Sequence, residues 1–265
     1  MLTDFHIHSN FSDGKHSIPE IVDFYGRRGF GAIAITDHLC ETESFLGIAA
    51  GYLERTLTPA TFPLYLEILK SEQERAKKLY GMIVIPGFEI TKNSLSNHRS
   101  AHMLALGVTE FVSANGDIET ILQKIRAQGA LTIAAHPVST GKMEKQTLHL
   151  WSRREELAHL FDAWEVASGP RLFDEVGKSG LPMLANTDLH RFSQINAWKT
   201  VMNCERHPEA ILQAIREQKL SFRFYEDTLT HQEDTPHVIP FPTPHFSRSL
   251  ELVTSAYGRR NFHTD

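Results

Sequence analysis

Short apolar runs recur along this chain with amphipathic helical stretches between them. Four clusters at or just beyond the ends of such runs carry histidines or acids: His6-Ile7-His8, Asp37-His38, His136-Pro137 and Asp188-Leu189-His190. That rhythm restricts the fold. Continuous apolar runs such as those over 32–36 and 131–135 are the pattern of strands buried on both faces of a parallel sheet. In a repeated β/α chain such strands finish at a common face, so residues distant in sequence meet around one point. About seven β/α units can be counted, one short of the common eight-stranded barrel.

A chain of 265 residues with 41% hydrophobic composition suffices for one α/β domain with a substantial core. The rhythm fails from Tyr225 onward, where Pro236, Pro240, Pro242 and Pro244 occur among scattered histidines. The expected organisation is a catalytic domain over 1–224 and an extended C-terminal arm over 225–265. A formal charge of −5 provides no global basic field. No stable nucleic-acid complex is expected, and small substrates are favoured. Cys40 and Cys204 are too few and too far apart for a disulfide framework or a zinc finger. The first residues run directly into an apolar strand, and no stretch approaches the length of a membrane span. A cytoplasmic protein without membrane association is the expectation.

The local signals are specific in places. Ser17 is placed to cap a helix that stops by Gly29, a charged amphipathic helix is predicted over 64–80, and Asp117 caps a helix through Gln128. Strands are predicted over 83–88, ending at Glu89, and over 102–106, opened by His102. A helix is predicted over 171–179 and another over 208–218. The stretch over 40–63 has no clear period and is expected to be an insertion over the mouth of the site.

His6 and His8 are one residue apart, so on a strand or its extension they point to the same face and can chelate one ion. The remaining residues have ordinary readings when taken singly. Asp13 in Ser12-Asp13-Gly14 reads as a turn residue, Glu89 as a helix-start acid, and His102 as a buried strand histidine. Asp37 reads as a partner for a ligand imidazole. Glu165 reads equally as a supporting acid or a loop acid.

The ordered set His6-Ile7-His8-Ser9-Asn10-Phe11-Ser12-Asp13-Gly14, Ile35-Thr36-Asp37-His38, Pro86-Gly87-Phe88-Glu89-Ile90, His102, Ala135-His136-Pro137 and Thr187-Asp188-Leu189-His190 resembles the motifs of the polymerase and histidinol phosphatase (PHP) family. The resemblance runs from about residue 2 to about residue 192. It implies a distorted seven-stranded (β/α)7 barrel with two or three divalent ions, zinc, manganese or iron, at the C-terminal ends of the strands. It also implies a ligand set. His6, His8, Glu89 and Asp188 would hold a first ion, and Asp13, His38 and His190 a second. Glu89 would bridge to a third ion held also by His102 and His136. Glu89, Asp188 and His190 are the residues expected at the reaction itself. His98 is a rival to His102, which is preferred because it opens an apolar strand.

The implied activity is hydrolysis of a small phosphate ester, by a phosphatase or phosphodiesterase, with nucleotides among the candidate substrates. Phe11-Ser12-Asp13-Gly14 is closer to the nucleotide phosphoesterase and polymerase-associated branches than to histidinol phosphatases. The long insertion of the nucleotide-bisphosphatase branch between His102 and His136 is lacking. Arg99, Arg171 and Arg191 lie in loops near the proposed metal face and are the expected cations for a substrate phosphate. Two other classes remain open from the residues: a metal-stabilised accessory domain without turnover, and a metal-dependent amide hydrolase.

Overall fold

The computed structural model describes residues 1–42, 56–93, 100–138 and 147–229. In chain order the main elements are β1 (Leu2–Asp4), α1 (Ile18–Arg27), β2 (Ala32–Ile35), β3 (His38–Cys40), α2 (Phe62–Tyr80), β4 (Ile83–Lys92), β5 (Ala101–Leu106) and α3 (Ile118–Ala127). They continue as β6 (Leu131–Ala134), β7 (Ala163–Ser168), β8 (Arg171–Leu172), β9 (Met183–Asn186), β10 (Ala197–Met202), α4 (Pro208–Arg216) and β11 (Leu220–Tyr225). Short helical turns fill 149–160 and Asp174–Gly177.

The sheet is mixed and curled. β1, β2 and β4 pair in parallel, with Thr3 opposite Ala32 and Ile33 opposite Val84. β6, β7 and β9 form a second parallel set. Between them β5 is antiparallel to both β4 and β6. The physical reason is the connection over 93–100, shorter than the roughly dozen residues that a parallel crossover requires. The curl brings the segment after β1 against the segment after β9. His8 N donates to Leu189 O at 2.8 Å, and Leu189 N donates to His6 O at 3.1 Å.

Strand residues alternate between two clusters, as a pleated chain requires. Ala32 and Ala34 join Phe5, Ile85 and Leu104, whereas Ile33 and Ile35 join Ile21 and Val22 of α1 and Tyr65 and Leu69 of α2. Antiparallel β10 delivers α4 to the N-terminal end of β1, where Ile211, Ala214 and Ile215 join the first of these clusters. The opposite end of the parallel strands is left for polar residues.

Several expectations are corrected. A regular β/α alternation is not what the sheet shows, because β5 runs against its neighbours and β10 and β11 add an antiparallel pair beside β1. β10 carries Lys199 mid-strand, a residue that breaks an apolar run but is fully buried against Asp4. The helix expected over 171–179 is only Asp174–Gly177, since Arg171 and Leu172 pair with Ser168 and Ala167 as β8. β4 runs to Lys92, past the expected end at Phe88, because β3 and β5 both give it partners there. Met1–Thr228 forms one unit, and of the second, Leu229–Asp265, only Leu229 is described. Tyr225 pairs with Ala197, and the arm from 230 onward lies outside the described residues. So does 43–55 of the expected insertion over 40–63.

Candidate metal centre

The curled sheet gathers the histidines and acids at the C-terminal ends of its parallel strands. His6 and His8 flank Ile7, the residue paired with Leu189, and so project on the same side. His38 opens β3 directly opposite Glu89 of β4. His102 is the second residue of β5, and the antiparallel direction of that strand explains why a residue at its start belongs with residues at the ends of the others. His136 follows β6, and Asp188 and His190 follow β9.

Glu89 is fully buried at the middle of the cluster. Its Oε1 lies 3.0 Å from His102 Nδ1, 3.5 Å from His136 Nε2 and 3.6 Å from His6 Nε2. Its Oε2 lies 2.7 Å from His38 Nδ1 and 3.6 Å from His8 Nε2. Asp188 Oδ1 lies 3.2 Å from His8 Nε2 and 3.3 Å from His6 Nε2. Asp13 Oδ1 lies 3.2 Å from His190 Nε2 and 3.5 Å from His38 Nε2. All nine residues expected as ligands are thus in one cluster.

Four overlapping sets have donor atoms within 4.8 Å of one another: His6, His8 and Glu89; His6, His136 and Asp188; Glu89, His102 and His136; and His8, Asp13, His38 and His190. The last adds His8 to the expected trio. Among the described residues, every buried side-chain nitrogen or oxygen without a hydrogen-bond partner belongs to this cluster, apart from Trp164 Nε1. They are His6 Nε2, both His8 ring nitrogens, Asp13 Oδ1, both Glu89 oxygens and His102 Nδ1. Buried polar atoms are nearly always paired, and leaving one unpaired costs about 1–3 kcal/mol. Imidazole and carboxylate donors converging in this way fit divalent zinc, manganese or iron.

The charges suit the same chemistry. Burial pushes the Glu89 carboxyl up, but His102, His38 and His6 outweigh it and hold the group well below the usual carboxylate range. Burial acts likewise on Asp188 and is outweighed by His6, His8, His190 and His136. Asp13 is also held low, by His190 and His38 against burial. His8 is pushed down to about 3 by burial and by the neighbouring His190 and His38. Ionised acids and a neutral His8 present lone pairs to a cation.

A second ring of residues orients the first. Glu165, fully buried on β7, accepts from His136 N at 2.7 Å and from Asn186 Nδ2 at 2.9 Å, and its Oε1 lies 3.0 Å from His6 Nδ1. It is therefore not a loop acid. Thr147 Oγ1 is 3.1 Å from His136 Nδ1, and Asn93 Oδ1 is 3.2 Å from His102 Nε2. Thr91 Oγ1, two residues beyond Glu89 on the same strand face, is 2.7 Å from His38 Nδ1. Thr147, Asn93 and Thr91 were not found from sequence, where only the two-residue spacing of Thr91 from Glu89 gave a signal.

Asp37 does not orient an imidazole as expected. It accepts from Ser9 N at 2.8 Å, Ser9 Oγ at 2.6 Å and Ser12 Oγ at 2.5 Å, fastening the loop that carries Asp13. Arg171 and Arg191 are exposed, Arg171 on β8 and Arg191 next to His190. Arg99 and His98 lie outside the described residues.

The family model of the PHP domain matches residues 4–110. The match takes in His6, His8, Asp13, His38, Glu89 and His102 and stops before His136, Asp188 and His190, which the fold brings to the same centre. Over 221 residues the chain is 25% identical to the DNA polymerase/3'-5' exonuclease PolX of Bacillus subtilis (strain 168), covering 77% of this chain and 36% of that protein. The chain thus spans about a third of the length of this curated relative. Among solved structures, a two-domain protein of Bacteroides vulgatus ATCC 8482, described as containing a predicted PHP-like metal-dependent phosphoesterase, superposes with a TM-score of 0.62 at 23% identity. That match covers 85% of this chain and 65% of the other. PsfC from Pseudomonas syringae PB-5123 gives 0.55 at 15% identity, covering 84% of this chain and 91% of its own. At these identities both show a shared fold. No described helix is long and apolar enough to cross a membrane.

Proposed function

We propose that this chain is a metal-dependent phosphoesterase that hydrolyses a small phosphate ester at a multinuclear centre on a seven-stranded barrel of the PHP type. The observation that carries this reading is Glu89, whose two oxygens are both buried, both without hydrogen-bond partners, and each near several imidazoles. A carboxylate so placed suits a bridge between cations. Divalent ions held there would supply Lewis acidity toward the phosphoryl oxygens and lower the pKa of a water.

The residues of the chain do the rest. His6, His8, Glu89 and Asp188 would hold one position, Glu89, His102 and His136 another, and Asp13, His38 and His190 with His8 a third. Glu165, Thr147, Thr91 and Asn93 fix ring orientations so that the outward nitrogen of each imidazole meets the centre. Arg171 and Arg191, with Arg99, are the cations for the phosphate of the substrate. Cys40 and Cys204 are both free thiols, which supports a reducing, cytoplasmic setting. The proposed organisation is a catalytic domain that takes in β11 and runs to about residue 228, followed by a C-terminal arm.

The experiment is a panel of phosphate monoesters, phosphodiesters and amides, with nucleotides included, assayed with added manganese or zinc. Phosphate-ester cleavage that depends on added metal is the expected result. Turnover of amides alone would replace the reading with the amide-hydrolase alternative, and metal binding with no turnover would support an accessory domain.

A further inference from the structure

Asp188 meets both His6 and His8, and its backbone is in a conformation that residues other than glycine adopt at a cost. Its φ is +59°, in the left-handed region that costs an L-residue about 1 kcal/mol. Such a conformation persists where the surroundings over-determine it. On the C-terminal side the backbone bonds of Leu189 to His6 and His8 hold the chain. On the N-terminal side Thr187 is held by Asp4. Asp4 Oδ1 accepts from Thr187 N at 3.0 Å, while Oδ2 accepts from Thr187 Oγ1, from Tyr25 OH at 2.7 Å and from Lys199 Nζ at 2.9 Å. Lys199 Nζ also donates to Thr187 Oγ1.

Asp4 and Lys199 are both fully buried. A lysine is almost never fully buried unless paired, and a buried ion pair adds little net stability over an apolar pair of the same volume. The pair therefore needs a reason other than stability. Its contacts supply one, because Asp4 and Lys199 together occupy both the backbone N–H and the hydroxyl of the residue immediately before Asp188.

We infer that Asp4 and Lys199 are positioning residues that lock Thr187 and so aim the Asp188 carboxylate at the point where the Nε2 atoms of His6 and His8 converge. The inference rests on the reading of this cluster as a metal centre. It assigns the buried pair to the geometry of the centre and not to the barrel wall alone.

The test uses the full chain and Mn2+ as the probe, with its dissociation constant measured by competition against a chelating dye well below the melting temperature. Lys199→Met removes the charge at similar length. Thr187→Val removes only the hydroxyl, and Thr187→Ser restores it. Changes to outer partners of metal ligands commonly weaken metal binding by about 10–100-fold. Lys199→Met and Thr187→Val are expected to weaken Mn2+ by about tenfold or more, with Thr187→Ser close to wild type. If Lys199→Met does not fold, the valine and serine pair decides alone. Lower melting temperatures with unchanged Mn2+ affinity in the folded variants would overturn the inference and leave the metal centre standing. A wild-type chain that binds no Mn2+ would overturn both.

Discussion

Glu89 and His102 lie on neighbouring antiparallel strands, two residues out of register, with Oε1 and Nδ1 3.0 Å apart. The direction of β5 creates this relationship: had the strand run parallel to β4, its first residues would lie at the far end of the sheet from Glu89. Between these two groups and His136 there is room for shared coordination, and Glu89 also reaches His38 and His6.

Glu89→Gln is expected to abolish most turnover while leaving the fold in place. A neutral amide retains the shape but has one oxygen in place of two charged ones. Loss of such electrostatic stabilisation lowers kcat by about a hundredfold or more. Phosphate release and thermal melting of the variant check this; near wild-type release at full metal content would remove Glu89 from the bridging position.

Divalent metal should raise the melting temperature. The unpaired nitrogens and oxygens of the cluster gain partners only when a cation is held, so binding favours the folded state. One site at a hundredfold excess over its Kd contributes about 2.7 kcal/mol, which for a domain of this size is roughly 5 °C or more. Differential scanning fluorimetry of chelator-treated protein with and without Mn2+ measures it, and an unchanged melting temperature would contradict it.

Gly14→Ala is expected to disturb the Asp13, His38 and His190 position selectively. A Cβ at residue 14 would meet His8 O at 2.2 Å and His8 C at 2.5 Å, both backbone atoms that cannot rotate away. The loop bearing Asp13 must then shift. Metal stoichiometry should fall by one equivalent with the remaining sites filled, whereas an unchanged stoichiometry and affinity would show that the loop accommodates the methyl group.

Arg171→Ala and Arg191→Ala are expected to weaken turnover of phosphate esters by about tenfold, since charge-assisted contacts to phosphate are worth about 1.5–3 kcal/mol. Metal content should not change. Steady-state kinetics together with metal analysis separate the two effects, and unchanged kinetics in both variants would move the phosphate grip to Arg99.

Of the candidate ligands, His6, His8, His38, His136, Asp188 and His190 stood out because their clusters lie at the ends of apolar runs, whereas Asp13, Glu89 and His102 had ordinary readings singly and were picked out by the resemblance to the PHP motifs. His102 was preferred to His98 because it opens an apolar run, but only the antiparallel direction of β5 makes the start of that run the correct end. Strand direction depends on the short connection over 93–100, which periodicity does not report. The supporting partners were less legible. Thr91, Asn93 and Thr147 are common polar residues whose role comes from the tertiary position of a ring nitrogen. Asp37 was misread because its neighbour His38 suggested an imidazole, whereas the fold offers it Ser9 and Ser12. β10 was hidden by Lys199, whose charge breaks the apolar pattern and is matched only by Asp4 at the other end of the chain. In β11, Leu220, Phe222 and Phe224 alternate with Ser221 and Arg223, a strand pattern present in the sequence, and the strand lies partly exposed at the edge of the sheet.

The most direct test of the central claim is the number of metal ions the folded chain holds. Protein stripped with a chelator, dialysed against excess Mn2+ or Zn2+ and freed of unbound metal should contain two or three equivalents by elemental analysis, and Glu89→Gln should contain fewer. A wild-type chain holding one equivalent or none, with the fold intact, would contradict the multinuclear centre.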